Sequence, residues 1–235
     1  SSSFGHMVLR IQQLMSTMRQ EEINLRKTEL KALQAQINPH FLYNTLDSIA
    51  WMCERGRNAD AVNMVHALAR LFRISISKGQ ELIPIAKEIE HAESYLQIQK
   101  YRYKNQFTYE FDVDPDCLSY YCNKITLQPI IENSITHGLD LMVDEGLITV
   151  QVCQEGEDIL FRVRDNGVGM SPEQVASILD RAPSDRTGIG IKNVNDRLKI
   201  YFGKEYGLHI TSELDVGTCV EIRMPKIKGE NYEAK

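Results

Sequence analysis

Leu127-Gln128-Pro129-Ile130-Ile131-Glu132-Asn133-Ser134-Ile135-Thr136-His137-Gly138 sets a polar trio into an apolar helical repeat. On a helix, Glu132, Asn133 and His137 project toward one edge, because 133 and 137 lie one turn apart. Ile130, Ile131 and Ile135 interleave them, so the polar edge borders a core. An apolar helix has no need of such a trio; the plainer reading is a solvated face. Two further stretches follow in order. Asp165-Asn166-Gly167-Val168-Gly169-Met170 ends a strand in a carboxylate and two glycines. An aspartate there can accept a hydrogen bond from an adenine amino group, and the glycines permit positive φ and close backbone approach. Alone, Asp-Asn-Gly is also an ordinary turn. Thr187-Gly188-Ile189-Gly190-Ile191-Lys192-Asn193-Val194 places glycines just before a helix, leaving its first N–H groups free for phosphate oxygens. It lacks the Gly-Lys-Ser/Thr ending of a Walker A loop, and by itself it also reads as a plain helix start.

Together and in this order, the three stretches resemble the asparagine box and two glycine boxes of the GHKL ATP-binding domain, shared by histidine kinases, gyrase, MutL and a class of heat-shock chaperones. The resemblance covers about Lys124 to Pro225, including Gly217-Thr218 of a closing hairpin. It implies an α/β sandwich, a mixed and mostly antiparallel sheet with helices on one face. It further implies that Asn133 holds Mg²⁺ on the phosphates of ATP, Asp165 reads adenine, and Gly167 and Gly169 shape the pocket. Gly188 and Gly190 would contact phosphate, with Asn193 beside them and His137 near the phosphates. Met170 to Thr187 would be a short lid without an aromatic residue.

Upstream, Gln36-Ile37-Asn38-Pro39-His40-Phe41-Leu42-Tyr43-Asn44-Thr45-Leu46 resembles the phosphoacceptor motif of LytS/YesM-type sensor histidine kinases. Pro84 to Arg102, with Glu88, Tyr95-Leu96 and Gln99, resembles the connector of that family. The resemblance implies that His40 takes the γ-phosphate of ATP and passes it to an aspartate of a response regulator. An imidazole of ordinary pKa, near ~6.5, is mostly neutral at pH 7 and so a competent nucleophile. Pro39 reads as a functional kink, since proline in a helix interior costs about 3 kcal/mol. Many histidine kinases carry an acid after the histidine, where Phe41 stands here; Glu132 is the candidate general base. Asn44 lies one turn after His40 on the same face. It reads as a solvated residue, as a partner for backbone freed by Pro39, or as the group that positions a water to dephosphorylate the regulator. Two rivals remain: a gyrase/MutL-like ATPase clamp that uses Glu132 to activate water and needs no His40, and a coiled-coil adaptor with an inactive nucleotide fold.

The rest of the sequence sets the frame. Net charge is -5 with no basic run, so nucleic acid is not suggested as a partner. The five cysteines have no metal-ligand spacing and read as reduced thiols. Ser1 to Met7 read as vector-derived, and no stretch approaches the ~18 apolar residues of a membrane span. Val8, Ile11, Met15, Met18 and Leu25 form a heptad seam, interrupted by Glu22, in a glycine-free helix expected to reach about Arg55; a parallel coiled coil is favoured over a lone amphipathic helix. Phe41, Leu42, Thr45, Leu46, Ile49 and Cys53 continue it. A second helix, about Ala59 to Ser77, sets Ala61, Val62, Val65, Leu68, Ala69, Phe72 and Ile76 on one face. Two such hairpins make a four-helix bundle in a homodimer. The predicted fold is α+β, with boundaries at 1–7 (tag remnant), 8–79 (dimerisation and histidine phosphotransfer), 80–228 (connector and ATP binding) and 229–235 (tail). The expected parent is a membrane-anchored sensor with this part in the cytoplasm. Expected elements are helices at Pro84 to Tyr103, Lys124 to Gly138, Pro172 to Leu179 and Ile189 to Phe202. Strands are expected at Phe107–Val113, Leu147–Cys153, Ile159–Asp165, Leu208–Leu214 and Thr218–Met224.

Overall fold

Asn38 starts the helix that carries the histidine. Its side-chain Oδ1 accepts the N–H of His40 at 3.1 Å and approaches that of Phe41 at 3.5 Å, and its carbonyl accepts Leu42 N–H at 3.1 Å. These are the contacts of an N-cap. Pro39 is then the first residue of a helix spanning Pro39–Glu54 (α2). At that position its missing N–H costs nothing and its fixed φ suits the helix. The expected interior kink is therefore corrected: Pro39 helps to start a helix and strains none.

The computed structural model describes residues 6–21, 38–76, 80–139, 145–180 and 189–229. Residues 6–21 form a helix (α1); the part of the expected seam that includes Glu22 and Leu25 lies outside the described residues. The chain divides into two compact units, Ser1–Asp47 and Ser48–Lys235. The division falls inside α2, whereas the sequence reading placed it at 79/80.

In the second unit, α3 (Asn58–Ser75) follows a turn through Gly56 and packs along α4 (Ile85–Arg102). The apolar side chains that α3 buries are Ala61, Met64, Ala67, Leu68, Leu71 and Ile74. The expected stripe differs. Of its members, Val62 is 53% exposed, Val65 50% and Ile76 46%. Thus α3 carries two apolar stripes. One is used against α4; the other is open in the single chain.

A five-stranded sheet has the order β2-β4-β5-β7-β6, built from Phe107–Val113 (β2), Gly146–Glu155 (β4), Asp158–Asp165 (β5), Gly217–Pro225 (β7) and Gly207–Glu213 (β6). Only β2 and β4 run parallel. Alternation explains the layer: Ile148, Val150, Val152, Val163, Phe161, Val220 and Ile222 are buried. The residues between them face outward, and Asp112, Gln151, Arg162 and Glu221 form a hydrogen-bonded ladder across four strands at 2.7, 3.1 and 2.9 Å. The buried face is covered by α5 (Leu127–Asn133), α6 (Pro172–Asp180) and α7 (Ile189–Phe202).

Two short strands, Leu82–Pro84 (β1) and Tyr121–Asn123 (β3), pair antiparallel and had no sequence signal strong enough to be expected. The expected helix from Lys124 to Gly138 is an α-helix only over α5. It then widens to a π turn over Ser134–Leu139. The five cysteines are unbridged, and no helix among the described residues is long and apolar enough to cross a membrane.

Candidate functional site

Asp165 ends β5, the central strand, and is only 4% exposed. A buried carboxylate needs donors. Its Oδ1 accepts Gly167 N–H at 2.9 Å and Thr218 N–H at 3.2 Å, and the Ser134 hydroxyl bonds to the same carboxyl. Burial pushes its pKa above the usual carboxylate value, while those three donors pull it back. Register explains the Thr218 contact, because β7 sets Thr218 opposite Asp165. Sequence reasoning missed Ser134 and Thr218 as supports. The signal was present for Thr218 in the closing hairpin and absent for Ser134, whose aim depends on the π turn.

The glycines act through closeness. A Cβ on Gly167 would lie 2.5 Å from Gly138 Cα, so the strand end and the asparagine-box turn touch backbone to backbone. Val168 N–H donates to the Gly138 carbonyl at 3.2 Å. Gly169 has φ +68°, a left-handed conformation, and a Cβ there would collide with the Glu213 carbonyl.

Asn133 closes α5 and is half-buried; Glu132 beside it and His137 in the π turn are exposed. Enough protein surrounds the Glu132 carboxyl for desolvation to raise its pKa, with Arg102 of α4 pulling it down. Gly190 sits in the first turn of α7, where a Cβ would lie 3.1 Å from Pro129 Cβ. Pro129 is one turn before Asn133 on the same face of α5. The start of α7 is thus brought to the side of α5 that carries Asn133. Gly190 has a packing reason for being small, in addition to the expected phosphate contact. Asn193 is exposed on α7. Gly188 and the expected lid beyond residue 180 lie outside the described residues.

In the other unit, His40 is exposed in the first turn of α2. The Asn44 amide nitrogen lies 3.2 Å from its Nε2 and 3.3 Å from its Nδ1. A neutral ring has one bare nitrogen, so the amide can donate to whichever lacks the proton.

A sheet covered on one face by helices, with a buried aspartate at the end of its central strand and glycines closing on it, defines a nucleotide-binding domain of the GHKL class. Residues 122–228 match the family described as histidine kinase-, DNA gyrase B- and HSP90-like ATPase, and residues 28–107 match the family described as histidine kinase. The chain is 36% identical over 222 residues to the sensor histidine kinase YesM of Bacillus subtilis, covering 94% of this chain and 37% of that protein. It is 32% identical over 201 residues to the sensor histidine kinase BtsS of Escherichia coli K12, covering 86% and 34%. A solved histidine kinase domain from the Erythrobacter litoralis EL346 blue-light activated histidine kinase shares the fold, with a TM-score of 0.50 at 15% identity over 85% of this chain and 91% of that one. The chain belongs to the sensor histidine kinase family. It spans about a third of the length of the relatives it matches.

Proposed function

We propose that this chain transfers the γ-phosphate of ATP to the imidazole of His40 and then to an aspartate on a response regulator. The observation that supports this most is the placing of His40: an exposed imidazole in the first turn of a capped 16-residue helix, with the Asn44 amide against its ring. An ATPase clamp has no use for such a residue. The helix start also favours the phosphorylated product, because the positive end of the helix dipole stabilises added negative charge. Asn44 orients the ring, and in the reverse state of the bundle it positions water against a regulator phosphoaspartate.

The nucleotide end of the reaction falls to the second unit. Asp165 accepts the adenine amino group on the carboxylate that its three donors hold in place. The first N–H groups of α7 hold phosphate oxygens. Asn133 supplies an amide oxygen, a suitable ligand for a hard cation, on the side of α5 that meets α7. Bound there, Mg²⁺ neutralises phosphate charge during transfer. Glu132 accepts the imidazole proton.

The functional form is a homodimer. Val8, Ile11, Met15 and Met18 on α1 are 38%, 50%, 66% and 69% exposed, and the open stripe of α3 adds Val62 and Val65. Apolar rows of this kind need a partner. The second copy supplies it as coiled coil and four-helix bundle, in a sensor anchored to a membrane by a further segment of its chain.

Incubation with γ-labelled ATP tests the reading. Acid-labile, base-stable label is expected on the wild-type chain, and none on His40→Gln, whose ATP affinity should stay within about twofold because the pocket is built from other residues. Label retained by His40→Gln would move the nucleophile elsewhere. ATP hydrolysis without any labelled protein would establish the clamp ATPase instead.

A further inference from the structure

Glu88 is fully buried on α4, and its carboxylate is spent on backbone rather than on a cation. It accepts Ile125 N–H at 2.9 Å, Thr126 N–H at 2.8 Å and Leu127 N–H at 2.9 Å. These are donors at the start of α5, which no turn of that helix can satisfy. A local side chain ordinarily serves this purpose. Here the local candidate, Thr126, makes no cap; its hydroxyl donates to the Asn123 carbonyl at 2.8 Å. The cap comes instead from another helix, 37 to 39 residues earlier in the chain.

The turn that Glu88 holds is a costly one. Ile125 has φ +55°, a left-handed conformation that a β-branched residue adopts only when its surroundings impose it. Arg197 of α7 grips the same turn from the other side, donating to the Ile125 carbonyl at 3.1 Å and to Thr126 Oγ1 at 3.3 Å. Three helices therefore meet at one strained turn. One of them is α5, a rigid rod of 7 residues that ends in Asn133. At a rise of about 1.5 Å per residue its two ends are only ~9 Å apart, so a displacement at the turn is delivered nearly whole to Asn133.

Three further polar side chains of α4 are bonded to α3. His91 meets Ser75 at 3.0 Å, Gln97 accepts from Arg70 at 3.1 Å, and Tyr101 donates to Asp60 at 3.2 Å. The element that seats α5 is thus itself held by the hairpin helix.

We propose that Glu88 is a positioning residue: it fixes Asn133 relative to α4, and so makes the metal-dependent part of nucleotide binding depend on the helix that the hairpin holds. This rests on the reading of Asn133 as the Mg²⁺ ligand. A purely structural cap would affect all nucleotide binding alike. A positioning role is selective, because Asp165 keeps its Gly167 and Thr218 donors at the sheet when the turn shifts and loses at most the Ser134 bond.

The test is to titrate the full chain with an ATP analogue, with and without Mg²⁺, in wild type and Glu88→Gln. Mg²⁺-dependent affinity is expected to fall about tenfold in the variant, through loss of charge-assisted bonds, while metal-free affinity changes by less than about twofold. Equal losses in both titrations, or none in either, would overturn the proposal. Arg197→Gln, which loosens the same turn from α7 and leaves α4 intact, is the second variant and serves if Glu88→Gln does not fold. It should show the same Mg²⁺-selective loss, and an unchanged Mg²⁺ dependence there overturns the proposal as well. Should the wild-type chain bind nucleotide without any Mg²⁺ effect, the reading of Asn133 fails first, and that is visible before any variant is made.

Discussion

In the helical hairpin, apolar side chains lie in the open; in the sheet domain, polar ones lie buried. Val62 and Val65 on α3 are 53% and 50% exposed, while Glu88 is 0%, Thr126 0% and Asp165 4% exposed. Both break the ordinary rule of what faces water. They break it for different reasons. The exposed valines are unfinished packing, which the proposed second copy would complete. The buried carboxylates are finished packing, since Glu88 and Asp165 each have backbone N–H groups for partners. One region stores its function in what it still has to bind, and the other in what it already holds.

The sharpest way to break this contrast is to disturb the finished side. Gly167→Ala puts a Cβ against the Gly138 backbone, and overpacking of this kind costs about 1–3 kcal/mol or more. The melting temperature is expected to fall by about 5 °C or more, and nucleotide affinity by at least ~tenfold. Calorimetry with and without nucleotide reads both; a variant of wild-type stability would show that the two backbones are not in contact.

Disturbing the unfinished side should leave the single chain intact. Val62→Glu with Val65→Glu places charge on the open stripe of α3 and should weaken self-association about tenfold or more, since an unpaired charge is costly to bury. ATP affinity should remain within about twofold. Sedimentation against concentration measures the first and a nucleotide titration the second. Unaltered association would mean that this stripe is not the dimer face.

The smallest effect belongs to the join between the regions. The Ser75 hydroxyl donates to the Leu71 carbonyl, so its oxygen accepts from His91 Nε2–H, leaving Nδ1 bare and without a partner among the described residues. Burial lowers the His91 pKa from its ordinary 6.5, with Glu88 opposing. For a base whose folded pKa is depressed, the stability contribution is present above 6.5 and is lost as pH falls toward the folded value. Stability should therefore decline as pH falls below about 6.5, and His91→Gln should flatten that slope. An unchanged slope would place the titrating group elsewhere.

What the sequence disclosed follows the same division. The Asp165 strand end and the family of residues 122–228 were legible because their signals are local: a carboxylate, a glycine and a helix start lie within a few residues of each other. The expected β2 strand has the observed bounds, Phe107–Val113, for the same reason. Glu88 was visible as part of a connector resemblance, but its partners at Ile125, Thr126 and Leu127 depend on tertiary approach. The stripe of α3 that meets α4 was missed because both its stripes are apolar. Met64, Leu71 and Ile74 fit a helical period as well as Val62, Val65 and Ile76, and periodicity alone does not say which stripe meets its own chain. Pro39 was misjudged because its cost depends on whether Asn38 caps the helix, which is a matter of geometry rather than of residue type.

The pairing of Asp165 with Thr218 joins residues 53 positions apart. The neighbouring hairpins, β4 with β5 and β6 with β7, each close through a short turn and form no such pair by themselves. Loop-closure entropy makes their meeting the slower event. The Asp165 carboxylate gains its full set of donors only when β5 and β7 have zipped together, so it belongs to the completed sheet and to no half of it. Bound ATP should accordingly act as a brake on unfolding and lend little speed to folding.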